Sequence, residues 1–182
     1  MELTEAPLTS ESVYDGALLH AYRDTARLPD GSTGVREWID HPGAAAIVPL
    51  LDTGETVLIR QFRYPPRRTF LEVPAGKMDR PDEDPATVAA RELSEETGYT
   101  AARFTALGAI YPCIGYSNEV IHFFLAEGLE AGTQDLAEGE FVEVERLDFA
   151  AAVERARTGQ LRDMKTVTAL TLAAAHLENS AE

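Results

Sequence analysis

The stretch Glu72–Tyr99, EVPAGKMDRPDEDPATVAARELSEETGY, decides how the rest of the chain is read. Asp84-Pro85 is a helix start: an Asp side chain accepts hydrogen bonds from the free N–H groups of a first turn, and Pro tolerates the first helical position. Gly98 is the stop, because glycine takes the left-handed conformation that ends a helix without steric cost. The spacing predicts a helix over residues 85–97, roughly 20 Å long at ~1.5 Å per residue. On it, Ala86, Ala89, Ala90 and Leu93 share an apolar stripe, and Glu92, Glu95 and Glu96 gather on the neighbouring one. Glu92 and Glu96 are i,i+4 neighbours flanked by Glu95, so their charges repel unless a cation sits among them. Arg91 cannot neutralise all three. A hard divalent cation can: Mg2+ or Mn2+ is held by a few carboxylates together with the phosphate oxygens of a substrate. The plainer reading of such a cluster, taken alone, is a solvated acidic helix face.

The surrounding pattern favours the metal. Glu83 is followed, after seven residues, by Arg91-Glu92-Leu93-Ser94-Glu95-Glu96-Thr97-Gly98-Tyr99. With Gly76 ahead of it, this resembles the signature of the Nudix hydrolases, in which a glycine, a glutamate and an R-E-U-x-E-E-x-G-U run form a loop, a helix and a loop. Gly76 and Glu83 are separated by six residues, one more than the family pattern has, which reads as an insertion in the loop Met78 to Asp82. The resemblance implies metal ligation by Glu92, Glu96, Glu95 and the main-chain carbonyl of Ala75. It also implies that Arg91 and Glu83 brace the motif through an ion pair, with Gly76 and Gly98 as its structural glycines.

The chain's 182 residues, 45% apolar and 26% charged, suit one domain with an accessory segment. A net charge of −15 without a stripe of Lys and Arg argues against general affinity for nucleic acid. Cys113 is the single cysteine, so no internal disulfide forms, which suits a cytoplasmic protein. No leader and no apolar run near eighteen residues is present, so neither secretion nor membrane spanning is expected. Met1 to Ser10 and the last six residues are expected to fray.

Before the signature, apolar points alternate from Ser12 to His41 around the turn Pro29-Asp30-Gly31, predicting two or three strands in a thin N-terminal sheet over residues 1–42. In the Nudix branch that hydrolyses ADP-ribose, a comparable sheet lies over the partner subunit of a homodimer, so the resemblance implies a dimer. Trp38 then either stacks on a nucleobase or packs as an interface or core aromatic. Residues 43–182 form the remaining domain. Ala44–Leu51 and Thr56–Phe62 read as buried strands joined at Asp52-Thr53-Gly54 in a hairpin. Arg60, Arg63, Arg67 and Arg68 make an isolated basic cluster able to face phosphate. By resemblance, Arg63 contacts the substrate.

Phe70–Gly76 is a strand entering the signature loop, and its E-x-P-A-G run is typical of the same branch. Downstream, Gly115-Tyr116-Ser117-Asn118-Glu119 fits a loop that in this branch touches the terminal ribose, which gives Ser117 and Glu119 binding roles. Gly128–Gly139 reads as a mobile polar loop leading into a strand Glu140–Val144. Catalysis at phosphorus needs a group that orients or deprotonates a water. In the ADP-ribose branch a glutamate of this loop does so, and the candidates are Glu140, favoured by its context, and Glu138. Asp148–Thr158 and Met164–His176 have helical periodicity, broken at Gly159.

The fold implied is α/β, a Nudix-type α/β/α sandwich with a mixed sheet behind a small N-terminal β-sheet. The activity implied is Mg2+- or Mn2+-dependent hydrolysis of a nucleoside diphosphate linked to a sugar, foremost ADP-ribose to AMP and ribose 5-phosphate. The alternatives are another nucleotide-sugar or dinucleotide pyrophosphatase, or a Nudix-like module that senses nucleotides without cleaving them.

Overall fold

The computed structural model describes residues 2–80 and 82–180. The expectations for Met1, Pro81 and the last two residues lie outside the described residues. The chain divides into two compact units, Met1–Pro42 with Tyr111–Val120, and Gly43–Ile110 with Ile121–Glu182.

In the first unit, β1 (Ala6–Asp15), β2 (His20–Arg27) and β3 (Thr33–Asp40) form an antiparallel sheet in chain order. The β2–β3 turn closes as the sequence implies: Asp30 accepts from the Ser32 N–H at 2.9 Å, and Gly31 takes a φ of 85°. Fraying to Ser10 is not what the structure shows, because Ala6 already pairs with Arg27 and Glu5 accepts from Arg36 Nε at 2.8 Å. β1 is nonetheless exposed along its whole length. The Tyr111–Val120 loop is tied to the end of β3, where Ile39 N–H donates to the Tyr116 carbonyl at 2.8 Å.

The second unit holds β4 (Ala44–Pro49), β5 (Glu55–Arg63), β6 (Arg68–Glu72), β7 (Ala75–Lys77), α1 (Pro85–Thr97), β8 (Tyr99–Ile110), β9 (Ile121–Ala131), β10 (Val142–Asp148), α2 (Phe149–Arg157) and α3 (Met164–Ser180). One sheet is mixed, in the order β7-β4-β9-β8, with β4 and β9 parallel; the other is antiparallel, β10-β5-β6. The hairpin expected across Asp52-Thr53-Gly54 does not form. The turn is present, but β4 and β5 share only the bridge Leu50–Thr56 and then enter different sheets.

The cause lies in the composition of β4, whose Ala45–Pro49 segment is buried on both faces. Ala45 and Ile47 pack with Val88, Ala89 and Leu93 of α1, while Ala46 and Val48 pack with Leu170 and Ala173 of α3. Burying one such aliphatic side chain is worth about 1.5–3 kcal/mol, and a two-stranded hairpin could not cover both faces. The helix starts and stops where its local signals put it, with Asp84 accepting from Ala86 N and Thr87 N and Gly98 at φ 75°. Its buried face is rotated relative to the expected stripe, however: Val88 is inside and Ala90 exposed, and Glu92 and Glu96 belong to the buried set. α3 continues to Ser180, so the expected fraying does not reach residues 177–180.

Candidate active site

Glu92 and Glu96 project from α1 toward β7, the short strand that follows Val73-Pro74. Glu96 is 2% exposed, and its Oε2 accepts the Ala75 N–H at 2.8 Å. Glu92 lies against Gly76 so closely that a Cβ there would fall 2.0 Å from the Glu92 Cδ, and its Oε1 pairs with Arg91 Nη1 at 2.7 Å. Burial pushes the Glu96 carboxyl up to about 8; the Ala75 N–H and the Arg63 charge oppose the rise, and the charges of Glu92 and Glu140 add to it. Burial also raises Glu92, against the pull of Arg91. Glu95 stands outside this pair, 40% exposed, with Oε2 3.1 Å from Arg91 Nη1.

Among the described residues no three His, Cys, Asp or Glu side chains converge as a ready metal-ligand set; Glu92 Oε1 is engaged by Arg91 and Glu96 Oε2 by the Ala75 N–H. The donor chemistry still fits a hard divalent cation. Burial raises the pKa of both carboxylates and the Glu140 charge adds to the rise, so positive charge placed between them would favour their ionised, ligating form. The expected ion pair between Arg91 and Glu83 is not made among the described residues. Glu83 accepts the Asp79 N–H at 2.9 Å ahead of the helix, whereas Arg91 is drawn to Glu92, Glu95 and the Lys77 carbonyl.

The basic cluster separates by side chain. Arg63 donates through Nε and Nη2 to Glu72 at 2.9 and 2.7 Å, close enough to Glu96 for their charges to interact. Lys165 at the start of α3 also binds the Glu72 carboxylate and reaches Asp163 Oδ2 at 2.8 Å. Glu72 is 1% exposed, so two cations compensate one buried anion. Neither Glu72 as the seat of Arg63 nor Lys165 was identified from sequence. Glu72 stood out only as the acid of the E-x-P-A-G run, with no sign of its partners, and Lys165 lies too far along the chain for any local signal. Arg60 instead pairs with Glu145, and Arg67 stacks over the Tyr64 ring at 3.3 Å.

The segment expected to be a mobile loop is shorter and better anchored than its composition implies. β9 runs to Ala131 and β10 begins at Val142, so Glu140 and Phe141 precede the strand in which they were expected. Carbonyls at the end of α1 have no partner within the helix, and this segment supplies several. Gln134 Nε2 donates to the Glu96 carbonyl at 2.6 Å, Asp135 N–H to the Glu95 carbonyl at 3.1 Å, and Gly132 N–H to the Gly98 carbonyl at 2.7 Å. Gly98 also lacks room for a side chain, since a Cβ would lie 2.9 Å from Gln134 N. Beyond these ties, Gln61, Phe62 and residues 137–141 line a cleft of about 510 Å³ that includes both Glu138 and Glu140. The Gln61 Oε1 is buried there without a partner, an acceptor suited to a polar ligand. Of the two glutamates, Glu140 is the one whose charge acts on Glu92 and Glu96.

The remaining candidates belong to the first unit. Trp38 stacks on Tyr22, its partner across the strands, with ring centroids 5.1 Å apart, and donates from Nε1 to Asp24 at 2.9 Å. Ser117 accepts the Glu119 N–H on its hydroxyl at 3.1 Å, and Glu119 Oε1 lies 3.9 Å from His41 Nδ1.

An acid pair on a helix after a glycine turn, inside a sandwich with a mixed sheet, is a class that comparison identifies. Residues 40–169 match the NUDIX domain, and the chain belongs to that family. It is 38% identical over 170 residues to an ADP-ribose pyrophosphatase of Bacillus subtilis (strain 168), covering 92% of this chain and 91% of that one. It is 33% identical to the methanol dehydrogenase activator of Bacillus methanolicus, over 91% and 90% of the two chains. A GDP-mannose pyrophosphatase of Salmonella arizonae is 36% identical over 74% of this chain and 75% of its own. The crystal structure of an ADP compounds hydrolase superposes with a TM-score of 0.86 over 99% of this chain and 98% of its own, at 23% identity, a likeness of fold.

Proposed function

We propose that this chain is a divalent-metal-dependent Nudix hydrolase that splits the diphosphate of a nucleoside diphosphate linked to a sugar, with ADP-ribose giving AMP and ribose 5-phosphate. The observation that carries this reading is the buried pair Glu92 and Glu96 against Gly76 and Ala75, with the Glu140 charge acting on both. Glu92, Glu96 and the Ala75 carbonyl, with Glu95 beside them, would hold Mg2+ or Mn2+. Such an ion would supply positive charge to the diphosphate and a water of lowered pKa. Arg63, fixed by Glu72, offers its guanidinium to the diphosphate. Glu140 orients or deprotonates the attacking water, with Glu138 as the alternative. In this reading Ser117, Glu119 and Trp38 serve the sugar and base ends, and the enzyme is a cytoplasmic homodimer.

The relatives named for ADP-ribose and GDP-mannose agree in cleaving a pyrophosphate and differ in the flanking groups, so the substrate is best tested directly. The experiment measures phosphate-ester release from ADP-ribose, ADP-glucose, GDP-mannose, NADH and diadenosine polyphosphates, with Mg2+ or Mn2+ and an EDTA control. Metal-dependent AMP from ADP-ribose above the others is expected. Cleavage of another member would move the substrate, and tight binding with no cleavage would replace the enzyme by a sensor.

A further inference from the structure

The arginines of the basic cluster that the site leaves over point to a second locus. A cavity of about 610 Å³ is lined by Arg60, Arg68, Arg155 and Arg162, in a chain whose net charge is −15. Arg60 has Glu145 as its partner. Arg68, Arg155 and Arg162 have none, while every other arginine and lysine among the described residues has a carboxylate, a carbonyl or a ring. The unpartnered cations therefore collect in one place. Surface charges without function tend to spread among opposite ones, and gathering three uncompensated like charges around a concavity is unfavourable unless an anion enters it.

The cavity is built by ordered structure. Its inner wall is β6, the edge strand of its sheet. Its rim is the turn after α2, where Gly159 takes a φ of 73° and the N–H groups of Gln160 and Leu161 both donate to the Arg155 carbonyl, at 2.9 and 3.1 Å. Leu161 is 6% exposed, which roots that turn in the core and holds Arg162 beside Arg155. Thr69 and Gln160 add polar groups, and Phe70, Leu71 and Leu161 add apolar surface. The volume suits a small molecule, and planar guanidinium groups match phosphate oxygens in pairs. Glu92, Glu96 and Arg63 take no part in its lining, although Arg60 and Thr69 also line an adjoining cleft of about 420 Å³ that includes Glu140.

We propose that this cavity binds the phosphomonoester group of a small phosphorylated metabolite, at a site separate from the acid pair. The guanidinium groups of Arg68, Arg155 and Arg162 take the phosphate, and the apolar wall takes the organic part. The proposal does not depend on the hydrolytic reading, because binding here needs no metal.

The test is titration calorimetry on the full chain in EDTA, with AMP, ribose 5-phosphate and inorganic phosphate as probes. At low salt one of the esters is expected to bind more tightly than inorganic phosphate, and to weaken as salt rises. Arg155→Gln with Arg162→Gln should weaken that ester by about ten-fold or more, as should Arg68→Gln alone, with thermal denaturation unchanged as the check on folding. Glu96→Gln should leave binding intact. Absence of binding, equal binding in both arginine variants, or loss of binding in Glu96→Gln would overturn the site. Inorganic phosphate binding as tightly as the esters would overturn its assignment to a metabolite. If Arg155→Glu with Arg162→Glu changes the sedimentation coefficient, the arginines face another protein chain and the proposal fails.

Discussion

Gly76 is required for its lack of a side chain rather than for its backbone angles. The Glu92 carboxylate occupies the space that a Cβ at position 76 would fill, at 2.0 Å from both Cδ and Oε1. Gly76→Ala must therefore displace the carboxylate, since the opposing atoms of β7 are main chain paired to β4. Turnover is expected to fall by about two orders of magnitude, the usual consequence of moving a catalytic group by about 1 Å. The cost in stability should be small by comparison, because the clash is with the far end of a flexible side chain rather than with backbone. Steady-state kinetics beside thermal denaturation reads both effects, and full activity in the variant would show that the Glu92 position is unimportant. Glu72 is a similar case of one residue fixing another. Its buried carboxylate holds the Arg63 fork flat through two hydrogen bonds, so the orientation of Arg63 depends on a side chain that does not itself reach the cleft beside Glu140.

Among the elements, the ends of α1 were legible to the residue, though not its buried face, because their signals are local: Asp84, Pro85 and Gly98 each act on atoms within four positions. The β4–β5 pairing was misread because its true partners, β9 and β10, arrive from some seventy to ninety residues later, and a short turn between two apolar runs looks the same in sequence whether or not the runs pair. The loop after β9 was misread for a related reason. Gly, Gln and Asp there read as solvated, yet Gln134 and two main-chain N–H groups are spent on α1 and its cap. That anchoring separates the two candidate bases. Glu140→Gln is expected to lower turnover by about 10²–10⁴-fold and Glu138→Gln by much less, so two harmless substitutions would remove the loop from the mechanism. At the start of α3, Asp163 accepts from Thr166 N and Oγ1 and from Lys165. Burial works against its ionisation, but Lys165 and Thr166 prevail and hold the carboxyl below its ordinary value. A lowered carboxylate stabilises the fold above the unfolded pKa and loses that contribution as pH falls through the folded one. Denaturation followed by pH should show this loss below about pH 4, and it should be reduced in Asp163→Asn. At neutral pH the variant should be less stable because Lys165 loses one of its two anionic partners, and an unchanged acid limb would exclude Asp163 as a contributor.

At the scale of the whole molecule, the first unit is poorly supplied with core. All of β1 is exposed, and Leu8, Val13, Tyr14 and Val35 are large apolar side chains facing outward. Three strands with so little buried surface are marginal alone, and an exposed apolar sheet marks an interaction surface. A second copy of this chain is the occupant that the proposed function calls for. Sedimentation at micromolar concentration should give a dimer, and Val35→Glu should shift it toward monomer; a wild-type monomer would rule out a shared site.

The attachment of the loop to α1 also limits how far the candidate base can range. Asp135 is pinned to the Glu95 carbonyl, and Glu140 follows it by five residues, a tether of at most about 18 Å when fully extended. Such a short leash maintains a high local concentration of the Glu140 carboxylate around the carboxylates of α1, whatever the rest of the surface does. Residues 136 and 137 can then vary in composition with little effect, whereas lengthening the loop on that side of the pin would dilute the base.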